Sequence, residues 1–129
     1  MLIDTNVLIR HLTGDPPGLA RKATQFLEHA TGLVCPDLVV AETVYVLESF
    51  YKVPREEVAQ RIRAIVASPA VSVDDELLIL RTLEVYEFDR LHFAEAYLVA
   101  TAERSGIGAI VSFDQSIDRV TTVRRVEPR

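Results

Sequence analysis

The chain has 129 residues, with fourteen Lys and Arg against nineteen Asp and Glu and a net charge of −5. At 49% hydrophobic and 26% charged residues it has the composition of a globular protein, which excludes a disordered or fibrous one. Its longest unbroken apolar run, Ala96 to Ala100, falls far short of the ~20 residues that cross a bilayer, so no membrane span is expected. The length predicts one domain over residues 1–129. Met1-Leu2-Ile3-Asp4 has no basic segment and puts a carboxylate where a signal peptide stays apolar, so a cytoplasmic protein is expected. The single cysteine, Cys35, closes no intrachain disulfide and is expected in the core. The acidic balance argues only weakly against a polyanionic partner, because carboxylate clusters that bind divalent cations bring positive charge with the metal.

Met1 to Asp4 reads as a short buried strand, after which Thr5 caps a helix over Asn6 to Leu12. Gly14 to Gly18 is a turn, and a helix over Leu19 to Ala30 places Ala20, Ala23, Phe26 and Leu27 on one face. Leu33 to Cys35 is strand-like; Pro36 and Asp37 then open an apolar helix over Leu38 to Tyr51. A helix from Pro54, with Val58, Ile62, Ile65 and Val66 at helical spacing, closes at Pro69. Val71 to Val73 is the next strand, followed by a helix from Asp74 or Asp75 through Glu87 and another from Leu91 to Ser105 that Gly106 terminates. Ala109 to Ser112 is the clearest strand, and Thr122 to Val126 a last one. Strands alternating with helix pairs predict the α/β class, with a parallel sheet covered on both faces and its site at the carboxyl ends of the strands.

Asp4 follows the first strand directly and Asp114 follows Phe113 just beyond the fourth. Either alone reads equally well as a turn or cap residue. Glu42 has only apolar helical neighbours, Leu38, Val39, Tyr45 and Val46, so if buried it needs a cation, a donor or water, a salt bridge being the plain alternative. Glu95 repeats the theme between Leu91, His92, Leu98 and Val99, with pairing to His92 as its plain reading. Four carboxylates converging on one sheet edge would repel, by about 4 kcal/mol for a pair ~4 Å apart at an effective dielectric near 20, and call for a cation. Such oxygen ligands select magnesium or manganese, suited to hydrolysis of a phosphate ester. Arg10, Arg119, Arg124 and Arg125 are candidate phosphate contacts near the same elements, although a surface arginine often serves solubility alone. Tyr45, Phe50, Tyr51, Tyr86 and Phe88 fall on predicted helices and read as core or dimer interface rather than as a stacking platform.

The segments "MLIDTNVLIR", "PDLVVAETVYVL", "FAEAYLVATAERSG" and "IVSFDQSIDR" resemble, in order and spacing, the motifs of PIN-domain ribonucleases, and more narrowly the VapC-type toxins of bacterial toxin–antitoxin pairs. The resemblance covers nearly the whole chain. It implies a three-layer α/β/α fold around a parallel sheet of four to five strands, endoribonuclease activity with one or two Mg²⁺ or Mn²⁺ ions, a homodimer, and a neutralising VapB-like antitoxin. Position by position it gives Asp4, Glu42, Glu95 and Asp114 as catalytic metal-binding acids and Asp118 as a further acidic position, with Thr5, Asn6 and His92 in support. Two departures stand out: Glu95 replaces the usual aspartate, and His92 occupies a place where many relatives carry another acid. The resemblance also implies 5′-phosphate and 3′-hydroxyl products, so that the 2′-hydroxyl is not the nucleophile.

The competing readings are weaker. A receiver domain needs paired acids after its first strand and a late lysine, whereas the only lysines are Lys22 and Lys52. An aspartyl phosphatase needs an acid where Asn6 stands, and the glycines of Gly106 to Gly108 follow a helix rather than a strand, against dinucleotide binding. A non-catalytic RNA- or protein-binding module keeps the fold but leaves the acids without a use. An RNA-processing nuclease that has no antitoxin is the closest alternative to a toxin.

Overall fold

Asp4, rather than Thr5, starts the first helix. In the computed structural model, which describes residues 1–129, Asp4 is extended and its carboxylate accepts a hydrogen bond from the Thr5 N–H at 2.8 Å. Helix α1 therefore runs Thr5–Thr13, with Thr5 buried. A carboxylate at this position satisfies an orphan N–H and complements the positive end of the helix, which favours it over the neighbouring hydroxyl. Gly14 closes α1 at φ +72°, a left-handed conformation that glycine adopts without strain. Helix α2 (Pro17–His29) carries Pro17 in its first turn and turns Ala20 and Ala23 inward. The two helices are fastened by a 2.8 Å contact between His11 Nδ1 and Thr24 Oγ1, and Arg61 Nη1 donates to the Leu12 carbonyl at 2.8 Å.

These helices belong to the first of two compact units, Met1–Glu76 and Leu77–Arg129. In the first, β1 (Leu33–Val34) pairs in parallel with β2 (Val71–Ser72), Leu33 opposite Val71. The opening segment adds one parallel bridge, Leu2 to Val34, with the Ile3 N–H donating to the Val34 carbonyl at 3.0 Å and the Val34 N–H to the Met1 carbonyl at 2.8 Å. Between β1 and β2 lie α3 (Asp37–Ser49) and α4 (Arg55–Ala67). The inward residues of α3 are Val40, Thr43, Val44 and Leu47; those of α4 include Val58, Ala59, Ile62 and Ile65, each set at helical spacing. Cys35 is in this core, as its type predicts.

In the second unit α5 (Glu76–Glu84) loosens into one π-helical turn, Val85–Asp89, which keeps Val85 and Tyr86 buried and ends at Arg90 in a left-handed conformation. Tyr86 meets Phe93 edge to face at 6.0 Å. Helix α6 (Phe93–Ser105) buries Phe93, Ala96, Val99 and Ala100 and ends at Gly106, φ +77°, as its sequence predicts. Strand β3 (Ala109–Val111) pairs in parallel with β4 (Arg124–Val126) across a 3₁₀ turn at Gln115–Arg119 that the sequence does not announce. Two parallel pairs thus stand in place of the one sheet of four to five strands expected from the sequence. Each strand has only two or three ladder residues, and the first apolar run makes a bridge rather than a strand because Asp4 is already committed to capping α1. No helix is long and apolar enough to cross a membrane.

Candidate active site

The end of the bridged opening segment and the start of α1 put Asp4 at the mouth of a cleft of about 340 Å³ in the first unit. Its lining includes Asp4, Thr5, Asn6 and Arg10 from the α1 segment, Glu42 from α3, and Asp15 and Tyr51 from the turns that follow those helices. The structure therefore brings together two of the four expected acids, Asp4 and Glu42, with two of the three expected supporting residues, Thr5 and Asn6, and one expected arginine. Glu42 is exposed, and so are its helical neighbours Leu38 and Tyr45, at 79% and 69%. Its carboxylate is solvated, and its place on the cleft wall, rather than any desolvation, is what marks it out.

Arg10 faces this cleft with Nη1 donating to the Asn6 carbonyl at 3.4 Å, while its Nε is buried without a hydrogen-bond partner. An unsatisfied guanidinium N–H inside a protein costs more than a typical hydrogen bond contributes, so it favours an incoming acceptor. Sequence reasoning missed Asp15 and Tyr51. The Tyr51 hydroxyl donates to Asp15 Oδ2 at 3.0 Å, closing one side of the cleft. Asp15 lies in a Gly-Asp-Pro-Pro-Gly segment that reads only as a turn, and Tyr51 lies past the last turn of an apolar helix, so neither carried a signal in one dimension.

In the second unit Glu95 sits in the first turn of α6 and is half-buried, and His92 is the exposed N-cap of the same helix. Asp114 caps the 3₁₀ turn, accepting the Ser116 N–H at 2.9 Å. Ser116, whose N–H donates to it, together with the charges of His92 and Arg119, holds the Asp114 carboxyl below the usual carboxylate range. His92, Arg119 and Asp114 therefore share one electrostatic neighbourhood, although they are far apart in sequence. Arg119 also donates through Nη1 to the Asp89 and Arg90 carbonyls at 3.3 and 3.2 Å.

Asp118 and Arg125 are placed on one another. Arg125 grips both Asp118 oxygens, Nε to Oδ1 and Nη2 to Oδ2, each at 3.1 Å, and its Nη1 donates to the Ser112 carbonyl at 2.9 Å and to Glu127 Oε1 at 3.1 Å. All three guanidinium nitrogens serve to tie β4 to β3 and to the 3₁₀ turn. Arg124, also on β4, is exposed.

The oxygen donors of the first unit's cleft, Asp4 and Glu42 with a hydroxyl and an amide, and Asp15 already engaged by Tyr51, suit a hard cation. No group of three or more His, Cys, Asp and Glu side chains stands at metal-holding spacing. A pair of carboxylates is nonetheless a workable fit for Mg²⁺, which keeps several of its waters and is commonly held by one or two carboxylates together with substrate phosphate.

Comparison with known proteins agrees with the motifs. The model of the PIN domain family matches residues 1–123. A VapC ribonuclease of Aquifex aeolicus (strain VF5) is 27% identical over 123 residues, a match that covers 92% of this chain and 90% of that protein.

Proposed function

From the premise that this chain belongs to the PIN-domain family, we propose that it is an endoribonuclease dependent on Mg²⁺ or Mn²⁺ and the toxin of a toxin–antitoxin pair. The observation that carries this reading is the family match over residues 1–123, joined to a cleft in which the family's first two acids, Asp4 and Glu42, stand with Thr5, Asn6 and an underused arginine. The likeness to a VapC ribonuclease supports the toxin assignment, and with it an RNA substrate, a VapB-like antitoxin and a homodimer.

In this reading Asp4, Glu42, Glu95 and Asp114 are the acids that hold the metal. A bound Mg²⁺ or Mn²⁺ supplies Lewis acidity toward a phosphate oxygen and toward water. The chain's own contributions follow from each unit. Asp4 and Glu42 both line the cleft, and Asp4 is held in orientation by the Thr5 N–H. Asn6 and Thr5 add neutral oxygen donors, and the unpartnered Nε of Arg10 offers a donor to a phosphate oxygen. Asp114 is kept ionised by Ser116, His92 and Arg119. Among the arginines, Arg10, Arg119 and Arg124 retain capacity for phosphate, whereas Arg125 is engaged by Asp118, Glu127 and Ser112. Asp118, for the same reason, is assigned to the fold rather than to the metal.

The test is cleavage of a labelled structured RNA in Mg²⁺, in Mn²⁺ and in EDTA, by the protein and by Asp4→Asn. Asparagine caps a helix about as well as aspartate, so the variant should keep its thermal midpoint while losing cleavage. Full activity in that variant, or in EDTA, would overturn the assignment. Co-purification with the product of a short adjacent gene would separate a toxin from a processing nuclease that works alone.

A further inference from the structure

The end of α3 presents an aromatic pair that the acids and arginines of the cleft do not account for. Phe50 and Tyr51 meet edge to face, centroids 5.0 Å apart and planes at 68°. Tyr51 lines the same cleft as Asp4 and Glu42, and its hydroxyl is pinned to Asp15. Phe50 is 75% exposed. The backbone makes an effort to hold this arrangement: the Phe50 and Tyr51 N–H groups both donate to the Val46 carbonyl, the Val53 N–H donates to the Leu47 carbonyl, and Lys52 between them takes a left-handed conformation at φ +54°. For a lysine that conformation is unfavourable, and such strain persists where the surroundings fix it.

We propose that Phe50 and Tyr51 form a stacking platform for one unpaired nucleobase of the RNA. The proposal rests on the ribonuclease reading and adds what that reading lacks, a contact that addresses a base instead of a phosphate. Aromatic rings are the usual partners of splayed-out bases in single-stranded RNA, and every base has a face to offer them. Tyr51 joins this pair to the cleft lining that includes Asp4, Glu42 and Arg10, so a base stacked on the pair belongs to a strand whose phosphates can meet the charged groups of the cleft. Tyr51 is positioned by Asp15 and buttresses Phe50 from the side, which leaves Phe50 as the exposed ring. A second copy of the chain is the competing cover, since Leu38 and Tyr45 on the same helix are exposed as well, but neither of those lines the cleft as Tyr51 does.

The experiment uses a short single-stranded oligoribonucleotide, a set of the same oligonucleotide with one abasic position walked along it, and the corresponding duplex. With the whole protein and Mn²⁺, Phe50→Ala should lower kcat/KM on the single strand by about tenfold or more, the worth of one base–aromatic stack. The loss should fall on KM rather than on kcat, and Phe50→Trp should restore it. One abasic position should cost the unaltered protein a similar factor and cost Phe50→Ala nothing further. Tyr51→Phe, which keeps the ring and releases Asp15, should raise KM by less than Phe50→Ala does. Circular dichroism and thermal melting check that each variant is folded. If the unaltered protein cleaves no RNA in either metal, the ribonuclease reading fails by itself, and fluorescence-anisotropy binding of the same oligonucleotides in EDTA still decides the platform by the same coupling between Phe50 and one base. Equal affinity or KM for Phe50→Ala and the unaltered protein would overturn the proposal, as would additive penalties from the variant and every abasic position. Loss of dimer in Phe50→Ala with RNA binding intact would also overturn it and assign the ring to a second copy of the chain.

Discussion

Burial together with the nearby Asp37 charge pushes the Cys35 thiol up to about 11. The nucleophilic thiolate is then a very small fraction at neutral pH, and no reagent reaches the sulfur in the folded state. A thiol reagent such as DTNB should therefore label the native protein only as fast as the first unit opens and should label it at once in denaturant; labelling within the mixing time of native protein would contradict this packing. Residue type alone was enough to place Cys35, because a lone cysteine behaves as a small apolar side chain. It was not enough for Glu42. Four apolar helical neighbours suggested a desolvated carboxylate, yet Leu38 and Tyr45 are themselves on the open side of α3. Nor could the sequence show that Arg125 would be consumed by Asp118, since that pairing depends on how the 3₁₀ turn lies against β4. Tyr45 and Phe50 are exposed, so of the five aromatics expected in a core or an interface, Tyr86 is the one fully buried.

Helices were the most legible elements, because caps, glycine terminators and apolar spacing are local signals; Gly106 and the Pro54 start were found where the sequence puts them. The π-helical turn at Val85–Asp89 and the 3₁₀ turn at Gln115–Arg119 left no such mark, and two-residue strands are too short for any periodicity to show. Elements of the second unit are held by a group that no motif announces. Glu103 of α6 accepts from Arg81 of α5 through both oxygens, Nε to Oε1 at 2.8 Å and Nη2 to Oε2 at 3.0 Å, and also receives the Thr122 hydroxyl just ahead of β4. The Arg81 and then the Thr122 hydrogen bonds hold the Glu103 carboxyl below the usual range. A carboxyl lowered by folding contributes stability that is complete above its unfolded pKa, about 4.3, and is lost as pH falls through the lower folded value. Glu103→Gln should thus destabilise the protein by about 1–2 kcal/mol at pH 7, the scale of a charge-assisted hydrogen bond. In denaturant melts the gap from the unaltered protein should close below about pH 4; a gap that is constant with pH would mean that the carboxylate charge plays no part.

At the scale of the molecule the net charge of −5 opposes RNA at long range, so the proposed function requires affinity from a few placed cations, from a metal and from stacking. With Arg10, Arg119 and Arg124 as the proposed phosphate contacts, the logarithm of RNA affinity in EDTA should fall with the logarithm of salt at a slope of about −2, since each neutralised single-strand phosphate contributes about 0.7. A slope several times steeper, measured by anisotropy between low and moderate salt, would reveal a broad basic surface that these residues do not provide. Family membership was legible across most of the chain because its four motif segments are each local strings. The continuity of the expected sheet was not, because strand pairing is settled between segments distant in sequence and each contributes so little ladder.

The all-parallel pairing also sets an order of assembly. Parallel strands cannot be joined by a tight hairpin, and the connection between β1 and β2, residues 35–70, is three times as long as that between β3 and β4, residues 112–123. Closing the longer loop costs about 1 kcal/mol more in chain entropy, which slows the first unit's pairing relative to the second when the whole chain refolds from denaturant. On the ribosome the sequence of events reverses. The segment carrying Asp4 and Glu42 emerges with all its pairing partners before Glu95 or Asp114 has been made, so a growing chain carries two of the four proposed metal-binding acids until its last third is translated.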